Sequence, residues 1–223
     1  MFKFNNISIN FHNKILIENT NIELQKGNLY CLVGKNGSGK SSVFNYLKKN
    51  YHKIYDIRLL PQSSTNNVFN LNVYDTLKAF CQYEKIQNFP KIIEKYLKLC
   101  KLENYRNQNL STMSGGEKQR VYIAQILLGK SEVLLLDEAF ANLDINFKLE
   151  FVELLKLEAK ERKISIILIE HDLRFVRENF ENILFCQMQK KNIELINNLQ
   201  QFDKLIEKEF TVKYNLSKNE FFL

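Results

Sequence analysis

The sequence predicts an α/β fold: a parallel sheet with helices on both faces, an antiparallel β subdomain at the N-terminus, and a helical insertion part-way along. Three observations carry this reading. Short continuous apolar runs, Leu29–Val33, Val133–Leu136 and Ile164–Ile169, have the character of buried parallel strands. Segments with helical spacing alternate with them, as a sheet covered on both faces requires. The first thirty residues instead alternate apolar and polar positions. Ile7, Ile9 and Phe11 are followed by Ile15 and Ile17, then Ile22 and Leu24, with turns expected near Asn13 and at Lys26-Gly27.

The remaining elements follow in order. A helix is expected from Lys40 to about Asn50. Ile54–Leu60 reads as a further strand, stopped by Pro61. From about 63 to 113 strong strand runs disappear, and Ile92, Ile93, Tyr96, Leu97 and Cys100 keep helical spacing. Beyond 114 the order is helix, strand, helix, strand, with Phe147, Phe151, Leu154 and Leu155 forming one apolar face. The expected organisation is a single domain, with 1–62 and 114–223 as its core and 63–113 as the helical part. From Asn198 onward no pattern is assignable.

Composition bounds the function. The chain has 223 residues, 45% hydrophobic and 26% charged, which suits one globular domain. No apolar stretch approaches the length needed to cross a bilayer, and Met1–Asn6 lacks a signal-peptide core. A cytoplasmic protein is expected, with any membrane role supplied by a partner. The four cysteines, Cys31, Cys81, Cys100 and Cys186, show no C-x-x-C pair, which argues against a zinc site or disulfide framework. The net charge of +7 comes from dispersed lysines such as Lys48-Lys49, Lys156, Lys160 and Lys190-Lys191. That pattern reads first as a solvated surface, then as a face toward anionic lipid; no nucleic acid is expected.

Gly34-Lys35-Asn36-Gly37-Ser38-Gly39-Lys40-Ser41, with Ser42 next, matches the phosphate-cradling pattern G-x-x-x-x-G-K-[ST] between a buried strand and a helix. Its glycines let successive backbone N–H groups face phosphate oxygens, and the helix adds its positive end. Lys40 is expected to reach the β- and γ-phosphates of ATP, and Ser41 to bind Mg2+. Such a P-loop NTPase (RecA-like) core places the strand Val133–Leu136 beside the cradle. Asp137 at its end then completes the magnesium shell, and Glu138 polarises the attacking water as general base. His171, two residues past Ile164–Ile169, is expected on the same sheet edge, able to hydrogen-bond the γ-phosphate.

Ser114-Gly115-Gly116-Glu117-Lys118-Gln119-Arg120 is a helix start. Ser114 is a good N-cap, and Glu117 three residues later completes a capping box. Two glycines leave the first N–H groups open, making a second anion-binding helix end.

At this point the chain resembles the ATP-binding subunits of ABC transporters, over about residues 3 to 197. Gly34–Ser41 and Ser114–Glu117 look like that family's Walker A and signature motifs, and Val133–Glu138 like its Walker B strand with the catalytic glutamate. Ala141-Asn142-Leu143-Asp144 looks like its D-loop, His171 like its switch histidine, and Gln62 like its Q-loop glutamine, which also approaches the metal. Phe11 occupies the place of the aromatic that stacks on adenine, with Phe4 as a rival. The resemblance implies two domains packed head to tail, each ATP lying between one P-loop and the other chain's Ser114, Gly115 and Gly116, with Asp144 at the shared site.

Three departures stand out. Ala139-Phe140 replaces the usual Pro-Thr or Pro-Phe, with little effect expected. Only 22 positions separate Lys40 from Gln62, where family members usually carry an extra strand pair. Phe11 stands in place of the more frequent tyrosine.

The resemblance implies an energy-coupling subunit, a homodimer or heterodimer, for separate membrane-spanning permease subunits. Val68, Phe69, Leu71, Val73 and Tyr74 are candidates to line the permease-binding groove. The alternative is a soluble ATPase of the same type, as in iron–sulfur cluster assembly. A single set of motifs disfavours the two-set ribosome-acting branch, and the absence of long heptad helices disfavours the DNA-repair branch. Intact Glu138 and His171 oppose an ATPase that binds without hydrolysing.

Overall fold

The computed structural model describes residues 1–62, 70–210, 213–215 and 220–222. Its centre is a six-stranded sheet in the order β4-β5-β6-β3-β7-β8. These strands are β3 (Leu29–Val33), β4 (Ile57–Leu60), β5 (Val133–Leu136), β6 (Ser165–Ile169), β7 (Ile183–Gln187) and β8 (Asn192–Ile196). The first five run parallel, and β8 returns antiparallel to β7. Every residue of β3, β5, β6 and β7 is buried, which is why these strands read as unbroken apolar runs.

Alternate residues of each strand feed two different cores. Leu134, Leu136, Ile166 and Leu168 face one layer, made of α2 (Val73–Tyr83), α3 (Phe89–Leu99), α4 (Gly115–Leu128), α5 (Ile145–Arg162), α6 (Leu173–Asn179) and α7 (Leu199–Phe210). Val133, Leu135, Ile167 and Ile169 face the other, where α1 (Lys40–Tyr51) and an N-terminal hairpin lie. The hairpin pairs β1 (Phe2–Phe11) with β2 (Lys14–Leu24), and its inward positions Phe2, Phe4, Ile7, Ile17 and Leu24 are essentially fully buried. Phe147, Phe151, Leu154 and Leu155 are all buried along α5, and all four cysteines are buried.

The expected strand over Ile54–Leu60 is shorter than its apolar pattern. Tyr51 O accepts the N–H groups of both Ile54 and Tyr55, a turn that leaves Ile54 outside, and pairing with β5 begins at Ile57. No extra strand pair occurs between Lys40 and Gln62. The two tyrosines of this turn instead cover the N-terminal hairpin. Tyr51 and Tyr55 meet Phe4 and Phe2 edge-on, with centroids 4.9 and 5.1 Å apart.

In the helical stretch, α2 starts at an Asn72 N-cap whose side chain accepts the Asp75 N–H. Its first residue, Val73, is buried in the core, so it cannot line a docking groove as the sequence suggested; its spacing with Leu77 and Cys81 makes it an inward position. Leu71 is exposed and Tyr74 half-buried beneath Arg106, 4.0 Å from its ring, while Val68 and Phe69 lie outside the described residues. Buried Glu158 on α5 ties the helical stretch to the core by accepting from Tyr96 Oη at 2.7 Å and Lys95 Nζ at 3.1 Å.

The C-terminal stretch contains α7, which sinks Phe202 and Ile206 into the core and is clasped by a two-point Arg177–Asp203 pair at 2.8 and 3.0 Å. A short antiparallel pair, β9 (Lys213–Asn215) and β10 (Glu220–Phe222), follows. Among the described residues no helix is long and apolar enough to cross a membrane.

Candidate active site

Because β3, β5 and β6 are parallel, their C-terminal ends open on one edge of the sheet, where ligands of such folds sit. The loop from β3 to α1 rises there. Gly34 has φ +155° and lies so close to β7 that a Cβ would meet Cys186 O at 2.7 Å. Gly39, at φ +99°, is the N-cap of α1. A side chain at either position would be strained, so the loop depends on glycine there.

Lys40 is buried, and its Nζ donates to Gly34 O at 2.8 Å and Lys35 O at 3.1 Å across the loop. Burial holds its pKa below the usual lysine value, against the opposing fields of Cys186, Glu138 and Asp137. Ser38 Oγ is buried with no hydrogen-bond partner.

Asp137 and Glu138 leave the end of β5. The sequence placed that strand beside the cradle; in fact β6 lies between β5 and β3. The helix α1 closes the gap by bringing Ser41 near enough to Asp137 to favour its ionised form. Burial nonetheless pushes the Asp137 pKa up, and its Oδ1 has no hydrogen-bond partner. A buried, unpartnered carboxylate oxygen next to a serine hydroxyl suits a hard cation that takes few protein ligands. Among the described residues no cluster of three His, Cys, Asp or Glu could hold a metal unaided.

Glu138 adopts φ +50°, uncommon outside glycine. Its carboxylate is gripped from both sides: Gln62 Nε2 donates to Oε2 at 2.6 Å, and His171 Nε2 lies 2.7 Å from Oε1. The next residues act as an anchor. Ala139 and Phe140 are buried, and Phe140, edge-on to Phe151 and Phe175, fastens the turn that carries Glu138.

Phe11, Lys14, Leu16, Asn36, Gly37, Gly39, Lys40, Ser41, Ser42, Glu138 and His171 line one cleft of about 380 Å³. Phe11 is 60% exposed there, whereas Phe4 is fully buried and offers no ring face to a base. A second cleft of about 670 Å³ adjoins it, bounded by Gly34, Lys35, Asn36, Glu138, Glu170, His171, Leu173 and Phe210. Sequence reasoning missed Leu16, Glu170 and Phe210. Leu16 carried a weak signal as the neighbour of the alternating Ile15 and Ile17; Phe210 had none, being brought in by α7.

Ser114, Gly115, Gly116 and Asp144 line neither cleft. The capping box expected at Ser114 is present. Ser114 Oγ accepts the Glu117 N–H at 3.3 Å, and Glu117 Oε2 accepts the Ser114 N–H at 2.8 Å. Asp144 caps α5 by accepting the Phe147 N–H at 2.9 Å. The two segments abut: a Cβ on Gly116 would meet Asn142 O at 2.7 Å.

Residues 17–141 match the family model described as ABC transporter. The chain belongs to the ABC transporter family. Its ATP-binding relatives include the zinc import ATP-binding protein ZnuC of Rickettsia bellii, 31% identical over 195 residues that cover 82% of each chain. The energy-coupling factor transporter ATP-binding protein EcfA1 of Fusobacterium nucleatum is 30% identical over 204 residues, covering 81% of this chain and 77% of the relative. Among solved structures, cbiO1 of Clostridium perfringens, part of the ABC transporter complex cbiONQ, superposes with a TM-score of 0.73 at 24% identity, covering 93% and 91% of the two chains. As an ABC ATP-binding subunit, this chain binds nucleotide and hydrolyses ATP to energise transport.

Proposed function

We infer that the chain binds ATP with Mg2+ between Phe11 and the Gly34–Ser42 loop and hydrolyses it as one half of a head-to-tail pair. From the cytoplasmic face it would drive membrane-spanning permease subunits. The observation that carries the catalytic part is the Glu138 carboxylate, held by Gln62 and His171 over the mouth of the phosphate loop.

The roles divide among the residues. The Phe11 face supports the adenine, since stacking needs a ring and not a hydroxyl. Loop amides and Lys40 take the phosphates. Ser41, Asp137 and Gln62 would hold Mg2+, which supplies charge neutralisation at the β- and γ-phosphates. Glu138 accepts the proton of the attacking water, and His171 fixes that carboxylate and the γ-phosphate. Ser114, Gly115, Gly116 and Asp144, absent from their own chain's clefts, fit the ATP of a second chain.

The surface offered to a permease is the groove of about 280 Å³ between β4 and helices α2 and α4, where Arg58, Leu59, Phe80 and Tyr122 line an open slot. A transport role is favoured over a soluble ATPase because the relatives are transport subunits. The zinc-import relatives make a metal cation the first cargo to assay.

Glu138→Gln tests the reading. Loss of a general base is worth ~10²–10⁴ in rate. Turnover should fall by that factor with ATP binding retained, and an ATP-bound dimer should accumulate on gel filtration. Wild-type turnover in Glu138→Gln would overturn it.

A further inference from the structure

The side chain just before His171 is the least explained charged group at this site. Glu170 follows β6 and is only 8% exposed, far below the norm for a glutamate. Its Oε1 accepts the N–H of His171 at 2.8 Å and of Asp172 at 3.2 Å. Its Oε2 lies 3.4 Å from Lys148 Nζ on α5. Lys148 in turn sits 5.7 Å from the Phe175 ring of α6.

These contacts link two functional segments. Lys148 is one turn past Asp144, the N-cap of α5, so it belongs to the helix that opens directly after the Ala141–Asp144 loop. His171, on the other side of Glu170, reaches Glu138 through Nε2. Both backbone amides that Glu170 holds belong to the turn that orients the imidazole. Asp172 pins the far end of that turn, accepting the Phe175 N–H at 3.0 Å.

We propose that Glu170 is a positioning residue for ATP hydrolysis: it fixes His171 on Glu138 and, through Lys148, ties that histidine to the helix behind the Asp144 loop. The proposal rests on the reading of His171 given above. Both oxygens of Glu170 are engaged by the protein, so it acts by holding the imidazole. The carboxylate suits both tasks, since one oxygen serves two amides while the other faces a cation. Misplacing a catalytic contact by about 1 Å costs on the order of 10²-fold in rate, so losing this brace should be visible in turnover.

Steady-state ATPase assays on Glu170→Ala, Glu170→Gln, Lys148→Met, His171→Ala and the Glu170→Ala/His171→Ala double variant test this. Glu170→Ala should lower kcat by ~10–10²-fold with KM for ATP nearly unchanged. Glu170→Gln, whose amide oxygen still accepts both N–H groups, should recover most of that loss. Lys148→Met should fall less than Glu170→Ala. The decisive comparison is the double variant, which should be no slower than His171→Ala alone. A further fall in the double variant, or equal losses in the Ala and Gln forms, overturns the positioning role. If Glu170→Ala fails to fold, Lys148→Met made with and without His171→Ala carries the same comparison, and an equal fall in both backgrounds overturns it. Wild-type kcat in His171→Ala alone would instead overturn the role given to the histidine.

Discussion

The Tyr51 hydroxyl holds both backbone groups of Asn5, accepting its N–H at 2.8 Å and donating to its carbonyl at 2.9 Å. The Tyr55 hydroxyl accepts the Lys3 N–H at 3.2 Å, two residues back along β1. Alternate residues of a strand present their amides to the same edge. The two tyrosines therefore occupy, one hydroxyl each, the bonding positions a third strand would fill beside β1. This accounts for how the short segment between Lys40 and Gln62, with β4 as its one strand, still covers the free edge of β1. It also closes an edge that would otherwise be open to pairing with other chains.

Replacing both tyrosines by phenylalanine keeps the rings on Phe2 and Phe4 and removes only the hydroxyl bonds. Each is worth ~0.5–1.5 kcal/mol in a partly exposed setting. The double variant loses these three bonds, so it should lose about 1.5–4.5 kcal/mol in urea melts and aggregate more readily, while keeping ATPase activity at temperatures where it stays folded. Unchanged stability would show that the rings alone secure the hairpin.

Lys40→Ala separates the buried cation from the rest of the cradle. The ammonium sits in a loop of backbone dipoles, and its removal takes away a buried lysine charge from the site. Detectable ATP binding by fluorescent-nucleotide titration should be lost while the melting temperature stays close to wild type. Wild-type affinity together with wild-type turnover would contradict the assignment of this loop.

Glu117 gives the start of α4 a pH dependence. Its carboxyl sits below the usual glutamate range because it accepts the Ser114 N–H, with the Tyr105 hydroxyl and Arg120 adding to the effect. The folded pKa is thus below the unfolded one. The ionised form contributes stability above the unfolded pKa, and that contribution is lost as pH falls through the folded value. Glu117→Gln should lower stability by at most about 1 kcal/mol at neutral pH, since the site is well solvated. Melts taken across the acid range should show the two proteins converging. A gap that stays constant with pH would rule out the carboxylate as the source.

Much of this was legible in the sequence, for reasons that can be traced residue by residue. Gly34 to Ser41 lay between a buried strand and a helix, and Ser114 with Glu117 spelled a cap, because both motifs act through local backbone geometry. The face Phe147, Phe151, Leu154, Leu155 was legible because burial imposes helical periodicity. Contacts between distant segments were not. Ile54 looked like strand because a short apolar run does not distinguish a strand from a turn that buries neighbouring tyrosines. Val73 looked like a surface candidate because it was grouped with its neighbours Leu71 and Tyr74; its spacing with Leu77 and Cys81 already carried the inward face. The position of β6 between β3 and β5, and the reach of Glu170 to Lys148, are set by strand order, which periodicity does not encode.

The head-to-tail arrangement is tested by mixing two damaged chains. In each chain the Ser114–Gly116 helix start lies outside the clefts that its own phosphate loop lines, and its capping box leaves the first turn formed without a ligand. If that helix start serves a partner's ATP, a heterodimer of Lys40→Ala and Ser114→Arg chains contains two unequal sites. One joins the damaged loop of the first chain to the damaged helix start of the second. The other joins the second chain's intact loop to the first chain's intact helix start. Mixing should then restore trapping of labelled ATP at one site per heterodimer, although neither variant traps nucleotide alone. Trapping is a better readout than turnover, because cooperation between the two sites can suppress multiple-turnover rates even when one is intact. If each chain instead used its own Ser114, both sites in the heterodimer would keep one defect and mixing would recover nothing. Heterodimers confirmed by crosslinking, yet holding no trapped nucleotide, would therefore reject the shared site.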